Sequence, residues 1–311
     1  MASSANPLNR TAVAISAFRN DETILAHLEA LFAGGPSPFG TVIVVDSLGS
    51  GRIEEAIRRN GWPVRYHNAP ENLGSAGNLQ RRLQLAAALD LDWCLAVNHD
   101  GMIDPARAAR LVAHGEAAKG VGAVYPVLRL TSAGNRLERP RRRRSTFGLL
   151  GTGDRPQLAA HAVEVAWGSS NGALYRLEPI RQGVHAWPEL WMGYEDLALG
   201  WEYQQAGWQQ LLATDVEVDD NYEFRSVTLL GKTVHLADKP VWYSYYQFRN
   251  LWLIAERTSG GAMKRRSVAM RLLLDIALIV AFRTHKRARL ALLLRGVRAG
   301  LRGLSGKGPV P

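Results

Sequence analysis

Cysteine is almost absent from this chain: Cys94 is the only one in 311 residues. No disulfide can form within it, so a reducing compartment is expected. Long apolar runs are missing too. The best candidate, Val268 to Phe282, is broken by Arg271 and Asp275. As a helix it spans about 22 Å, short of a hydrocarbon core of about 30 Å. Met1 to Arg10 lacks an apolar core, and no secretory signal is visible there. Histidines 99, 185 and 235 show no metal-ligand spacing. Ser169 and Ser170 lack the nucleophile-elbow pattern, which leaves a serine hydrolase without support. Acidic residues nearly vanish from the end of the chain. Gly261 to Pro311 holds 12 Lys/Arg against Asp275 alone, a net of +11, while the remainder holds 26 basic against 27 acidic residues, a net of −1. A nucleic-acid enzyme would carry its basic excess across a working face, so nucleic acid is not an expected partner.

What is present reads as alternating strand and helix. Thr11 to Ser16 is a β-rich run, and Asp21 to Phe32 has helical spacing through Ile24, Leu25, Leu28 and Leu31. Thr41 to Val45 is a second strand, Ile53 to Asn60 a short helix, and Val64 to His67 a third strand. A helix is expected over Leu79 to Leu89, with Asn78 as a candidate N-cap, and a fourth strand over Leu91 to Val97. This order predicts βαβ units on a mainly parallel sheet whose strands are buried on both faces. Val121 to Leu130 reads as a further strand, and Val163 to Trp167 leads into Gly168 to Gly172 and then Ala173 to Arg176. Thr131 to Asp154, with the run Arg139 to Arg144, reads as a mobile loop. Glu195 opens a helix to Ala206.

Several polar groups stand where such a sheet presents its ligands, at the carboxyl ends of strands. Asp100 follows Val97-Asn98-His99 and could hold a divalent cation, which in turn could hold a diphosphate. An Asx turn would look the same. Asp46, after the second strand, could accept hydrogen bonds from a nucleobase or ribose, or cap its own turn. Asn72, Gly74 and Gly77 precede a helix, where bare backbone N–H groups can approach phosphate. Their spacing fits neither the Walker loop nor the dinucleotide fingerprint. Glu195 and Asp196 sit among Trp191, Tyr194, Trp201 and Trp208, where partial desolvation would raise a carboxylate towards general-base values.

Taken in order, these segments resemble family 2 glycosyltransferases, inverting enzymes with the GT-A fold, and in particular their rhamnosyl- and galactofuranosyltransferase-like branch. The resemblance runs from about Ala12 to Glu256. Val44-Val45-Asp46-Ser47 is similar to the family's "VVD-N-S" segment, and Asn72 to Asn78 to its "N-x-G-x-A-G" segment. Asn98-His99-Asp100 resembles "N-P-D", a variant of the DxD motif. Trp167 to Ala173 resembles an acceptor-side segment, Glu195-Asp196 the acidic pair, and Tyr245 to Asn250 a "YY-x-x-RN" segment. Ala198 and Glu202 depart from the usual "E-D-x-D-L-x-x-R".

The resemblance implies an α/β GT-A domain over 1–256, a Rossmann-like mainly parallel sheet flanked by helices, with a basic helical extension over 257–311. It implies an inverting transfer of a sugar from a UDP- or dTDP-sugar to a hydroxyl of a glycan or lipid-linked acceptor. Asp46, Asn72, Gly74, Asn98 and Asp100 would bind the donor. Asp196 would act as base with Glu195 placing the sugar, and Trp191, Trp201 and Asn171 would form the sugar and acceptor platform. Mg²⁺ or Mn²⁺ would sit on Asp100, with Asp220, His235 or no further side chain as the next ligand. The basic tail would dock on an anionic membrane, making a cytoplasmic protein peripheral on the inner face of the cell membrane and active in cell-envelope polysaccharide synthesis. A nucleotidyltransferase and a non-catalytic sugar-nucleotide-binding protein on the same scaffold are the alternatives.

Overall fold

The computed structural model describes residues 6–98, 101, 104–134, 136–137, 161–220, 223–229, 232–258 and 261–309. Its elements alternate as the sequence suggests through β1 (Thr11–Ala17), α1 (Asp21–Phe32), β2 (Thr41–Ser47), α2 (Arg52–Asn60), β3 (Val64–Ala69), α3 (Gly74–Ala87) and β4 (Trp93–Val97), and a helix the sequence reading did not name, α4 (Pro105–Glu116), comes next. Then follow β5 (Val121–Leu130), β6 (Arg136–Leu137), β7 (Ala162–Glu164), β8 (Ala173–Arg176), α5 (Leu177–Arg181), α6 (Glu195–Gln205) and β9 (Gln209–Asp220). The hairpin of β10 (Phe224–Leu229) and β11 (Lys232–Ala237) precedes three helices, α7 (Tyr243–Arg257), α8 (Gly261–Phe282) and α9 (Lys286–Leu301).

Among the described residues the main sheet runs β3-β2-β1-β4-β8-β5-β9-β7, with β6 beside β5. The pairs β3-β2, β2-β1, β1-β4 and β5-β9 are parallel, while β8 lies antiparallel between β4 and β5. The chain builds outward from β1 to β3 and then returns to place β4 on the other side of β1. The β1/β4 boundary is therefore the topological switch point, the crevice where such sheets take ligands.

Strand alternation sorts the core into two layers. Val13, Ile15, Val42, Val44 and Leu95 face α1, α2 and α4. Ala12, Ala14, Ile43, Cys94 and Ala96 face α3 and α5. The small alanines under α3 leave room for a long polar side chain, and Arg82 occupies that layer. Burial pushes the Cys94 thiol up to about 12, so it is inert packing.

Two sequence expectations change. Asn78 is not an N-cap: α3 starts four residues earlier, at Gly74, and the buried Asn78 amide donates to the Val45 carbonyl at 3.0 Å. The extension is not a lone surface helix. Val268, Ile279 and Leu293 are buried with α7 residues in a third core cluster. Arg289, expected on a membrane face, is buried instead, donating to the Lys239 carbonyl at 2.9 Å and the Thr284 carbonyl at 3.1 Å. Arg283 pairs with Asp238. Among the described residues, no helix is long and apolar enough to cross a membrane.

Candidate active site

A cavity of about 410 Å³ opens at the switch point. Ser16, Phe18 and Arg19 line it from the end of β1, Ser47 and Leu48 from the end of β2, and Asn98 from the end of β4. The start of α3 contributes Asn72, Gly74 and Ser75. The opposite wall is Trp191, Met192 and Glu195, with Trp242 and, from the far end of the chain, Lys307.

The α3 edge is built by close contact. Asn72 Oδ1 accepts from the Gly74 N–H at 2.9 Å, and the Ala76 N–H reaches the Trp191 carbonyl at 3.2 Å. Gly74 has φ +66, and a Cβ there would collide with that same carbonyl. Only glycine serves both needs. Trp191 is held on the helix end by its indole N–H, which donates to the Asn72 carbonyl at 3.1 Å, and by stacking on Tyr246 with ring centres 5.1 Å apart.

The loop carrying Trp191 is fastened from behind by the Arg-Asn pair of α7. Asn250 Nδ2 donates to the carbonyls of Leu190, Met192 and Gly193 at 2.9–3.0 Å, and Arg249 Nη2 donates to Leu190 at 2.7 Å. Both side chains are fully buried. The "YY-x-x-RN" segment thus positions the loop that leads into Glu195.

Arg82 was not singled out from the sequence, yet it is a buried cation of the site. Its Nη1 donates to the Ala14 carbonyl at 3.2 Å and the Val97 carbonyl at 3.1 Å, and its Nη2 to Asn98 Oδ1 at 3.3 Å. It caps the ends of β1 and β4 and orients Asn98. Burial pulls the guanidinium down to about 10, so it stays charged at neutral pH. The signal for it was present, because position 82 lies three residues beyond Leu79 on the apolar face of α3.

The other expected residues separate into groups. Glu195 lines the cavity and is buried, with one carboxylate oxygen unpartnered among the described residues. Asp196 does not line the cavity. It is half-buried on the first turn of α6, and its field reaches Arg82, Tyr125 and Tyr175. Asp46 lies beneath the surface of the cavity, fully buried, with Oδ2 accepting from the Tyr66 hydroxyl at 2.8 Å and Oδ1 unpartnered. Burial raises its pKa above the usual carboxylate value, against the pull of that hydroxyl.

Asn171 does not reach the cavity. Its Oδ1 accepts from the Asn98 N–H at 3.2 Å, bracing the end of β4, and Ser170 lines the wall in its place. Trp201 also stays away, packed with Trp187, Leu190 and Leu197 in the core around α7. Asp220 ends β9 opposite Leu130, three strands from β4, and does not line the cavity. His99, Asp100 and the Arg139–Arg144 run lie outside the described residues, as does the side chain of His235. Among the described residues no three His, Cys, Asp or Glu side chains gather to hold a metal.

Backbone strain concentrates here. Of five described non-glycine residues with positive φ, Arg19, Leu48 and Trp191 line the cavity and Tyr194 precedes Glu195. Each such residue costs on the order of 1–3 kcal/mol and persists where its surroundings over-determine it, as they do at functional sites. The described lining carries the cations Arg19, Arg82 and Lys307 against one carboxylate, Glu195. Such a crevice suits an anionic ligand with one group left for acid/base or hydroxyl contact.

No protein-family model and no curated protein matches the chain. Solved structures do. A GalNAc-T7 structure with UDP, GalNAc and Mn²⁺ superposes with a TM-score of 0.62 at 13% identity, covering 94% of this chain and 56% of that one. This chain therefore spans little more than half of that protein's length. A mannosyltransferase from Pyrobaculum calidifontis, PcManGT, in complex with GDP-Man and Mn²⁺, gives 0.53 at 14% identity over 94% of this chain and 87% of that one. TarS 1–349 from S. aureus with UDP-GlcNAc gives 0.53 at 11% identity over 95% and 81%. At such identities the likeness establishes architecture rather than activity, and on that architecture the chain has the GT-A fold.

Proposed function

We propose that this protein is an inverting glycosyltransferase of family 2 type that moves a sugar from a UDP- or dTDP-sugar to a hydroxyl of a glycan or lipid-linked acceptor. The observation that carries the reading is the cavity at the β1/β4 switch point, with three cations, the start of α3 and a carboxylate with one oxygen unpartnered among the described residues around it. A nucleotide diphosphate has the charge and length to use all of these. The structural neighbours solved with UDP, GDP-Man and UDP-GlcNAc support the same ligand class.

In this reading the nucleoside lies over Ser47 and Leu48, above Asp46, and the diphosphate lies towards α3 and Arg82. Glu195 contacts the hydroxyls of the donor sugar. Successive helix residues point about 100° apart, so Asp196 stands to one side of the donor cavity, where an acceptor would approach. Asp196 takes the acceptor proton as its oxygen attacks the anomeric carbon and the diphosphate leaves. Mg²⁺ or Mn²⁺ would be held by Asp100, with the diphosphate itself supplying further oxygens. When bound, such a cation would neutralise charge on the leaving group. Asp220 and Trp201 have no place in this arrangement. The loss of the second Asp and the Arg at 198 and 202 keeps a non-catalytic sugar-nucleotide-binding protein as the second reading.

The tail carries the proposed membrane contact. Seven of the nine exposed large apolar residues among those described, from Met270 to Leu304, belong to α8, α9 and the turn after them. The basic residues around them suit an anionic leaflet.

The first test is thermal stabilisation by UDP-, dTDP- and GDP-sugars with and without Mn²⁺. A ligand at 100 times its Kd stabilises the native state by about 2.7 kcal/mol, well within reach of a melting experiment. Stabilisation by one nucleotide class supports the reading, and a folded sample indifferent to all of them rejects it. Asp196→Asn should then lower kcat by at least about 10²-fold with donor affinity kept, whereas Glu195→Gln should weaken donor affinity as well. Full turnover by Asp196→Asn would move the base elsewhere.

A further inference from the structure

We propose that the end of the chain, residues 303–309, is a strap that completes the cavity and delivers Lys307 as a ligand for the donor's diphosphate. This rests on the nucleotide-sugar reading above. After α9 the chain reverses: Gly303 adopts φ +68, and the Leu304 N–H returns to the Ala299 carbonyl at 2.9 Å. The strap then crosses α7 and is pinned on both sides of Lys307. The Gly306 N–H donates to the Glu189 carbonyl at 2.6 Å, and the Gly306 carbonyl accepts from Arg249 Nη1 at 2.6 Å. The Gly308 N–H donates to the Tyr246 hydroxyl at 2.8 Å. Gly308 lies flat on Tyr245, where any Cβ would strike the ring.

This fastening has a consequence for the site. Arg249 holds the strap and the Trp191 loop with the same guanidinium, so the two walls are set together. Lys307 enters the cavity mouth with its ammonium 6.0 Å from the centre of the Trp191 ring. Among the described residues no carboxylate pairs with it. Trp191 in turn lies on the first turn of α3, so the ammonium stands on the side of the cavity where N–H groups already favour negative charge. Arg82 is anchored to carbonyls below and cannot follow a ligand. Lys307, exposed on a flexible stem, can. A freely hydrated lysine would not need a strap anchored at both neighbours. An anion that Arg82 alone cannot embrace would.

The test is calorimetric binding of UDP, dTDP and GDP, each beside its own nucleoside, to the full chain and its variants. Lys307→Met should weaken binding of the preferred nucleoside diphosphate about tenfold and leave the nucleoside unchanged. Lys307→Arg should stay within about twofold of wild type. Gly308→Val, which displaces the strap, should reproduce the Lys307→Met loss without lowering nucleoside affinity. Unchanged diphosphate affinity in Lys307→Met overturns the proposal, as does an equal loss for nucleoside and diphosphate. A wild type that binds no nucleoside diphosphate fails before any variant is made. That result removes the functional reading itself, so the two failures are distinguishable.

Discussion

Asn250→Asp changes one buried atom and should disturb both stability and the site. In the wild type Nδ2 donates to three carbonyls of the Leu190–Gly193 loop, and Oδ1 accepts from Arg249 Nε at 2.9 Å. Aspartate keeps the second contact and reverses the first, placing carboxylate oxygen against three carbonyl oxygens. A net hydrogen bond contributes about 1 kcal/mol, and a buried group left unsatisfied costs about 1–3 kcal/mol. Two hydrogens are lost, so the expected destabilisation is about 3–5 kcal/mol when the carboxyl is ionised.

Protonation gives back one donor. The Arg249 guanidinium donating to Oδ1 pulls the opposite way and favours the ionised form, so the deficit is read at one fixed pH. Urea unfolding followed by tryptophan fluorescence at pH 8 should show the deficit. Donor affinity should fall in parallel, because Trp191 and Glu195 depend on the same loop. An Asn250→Asp protein as stable as wild type at pH 8, with donor affinity intact, would refute the clamp.

Two further expectations follow from buried charge. The folded pKa of Asp46 is raised above 3.8 by burial, so below 3.8 its stability contribution is complete. As pH climbs past that value the unfolded chain ionises first and stability drains away. Asp46→Asn should therefore gain on wild type between pH 3.8 and neutrality while binding donor less well. Equal pH profiles in parallel melts would show that the carboxylate is not the strained group we describe. For Arg82→Met, the shift from 12.5 to about 10 implies that burying the charge costs about 3 kcal/mol. The carbonyls it would orphan cost a similar amount. Stability should stay within about 2 kcal/mol of wild type by denaturant titration, while nucleoside diphosphate affinity drops at least about tenfold. A large loss of stability with affinity unchanged would make Arg82 a brace for the fold alone.

β1, β2 and β4 were legible because they are local apolar runs, each flanked by a helix with a 3.6 period, whereas β3, a mixed and half-exposed run, was read from its place in the alternation. β9 was not legible. Its sequence, Gln209–Asp220, mixes polar and apolar residues, and what makes it a strand is pairing with β5 through an irregular register. The hairpin β10–β11 was missed for the same reason: its strands are held by pairing with each other. The Tyr245–Asn250 segment was noticed as a pattern, but its role as a clamp depends on carbonyls about 60 residues away.

Glu195 and Asp196 show the limit within one dipeptide: the pattern named both, and only the packing of α6 turned Glu195 into the cavity and left Asp196 outside its lining. Trp201 and Asn171 were chosen for chemistry suited to a sugar, yet their places in the fold make them core and brace.

The sequence by itself determined the layer architecture, the strand ends where polar groups gather and the charge asymmetry of the tail. Those follow from periodicity and composition, which are properties of neighbours along the chain. The tertiary structure alone decided that Arg82 caps β1 and β4, that Arg249 ties two walls together and that Lys307 reaches the cavity. Lys307 meets Trp191 across more than a hundred residues of chain. A contact of that kind exists only after the helices between them have packed.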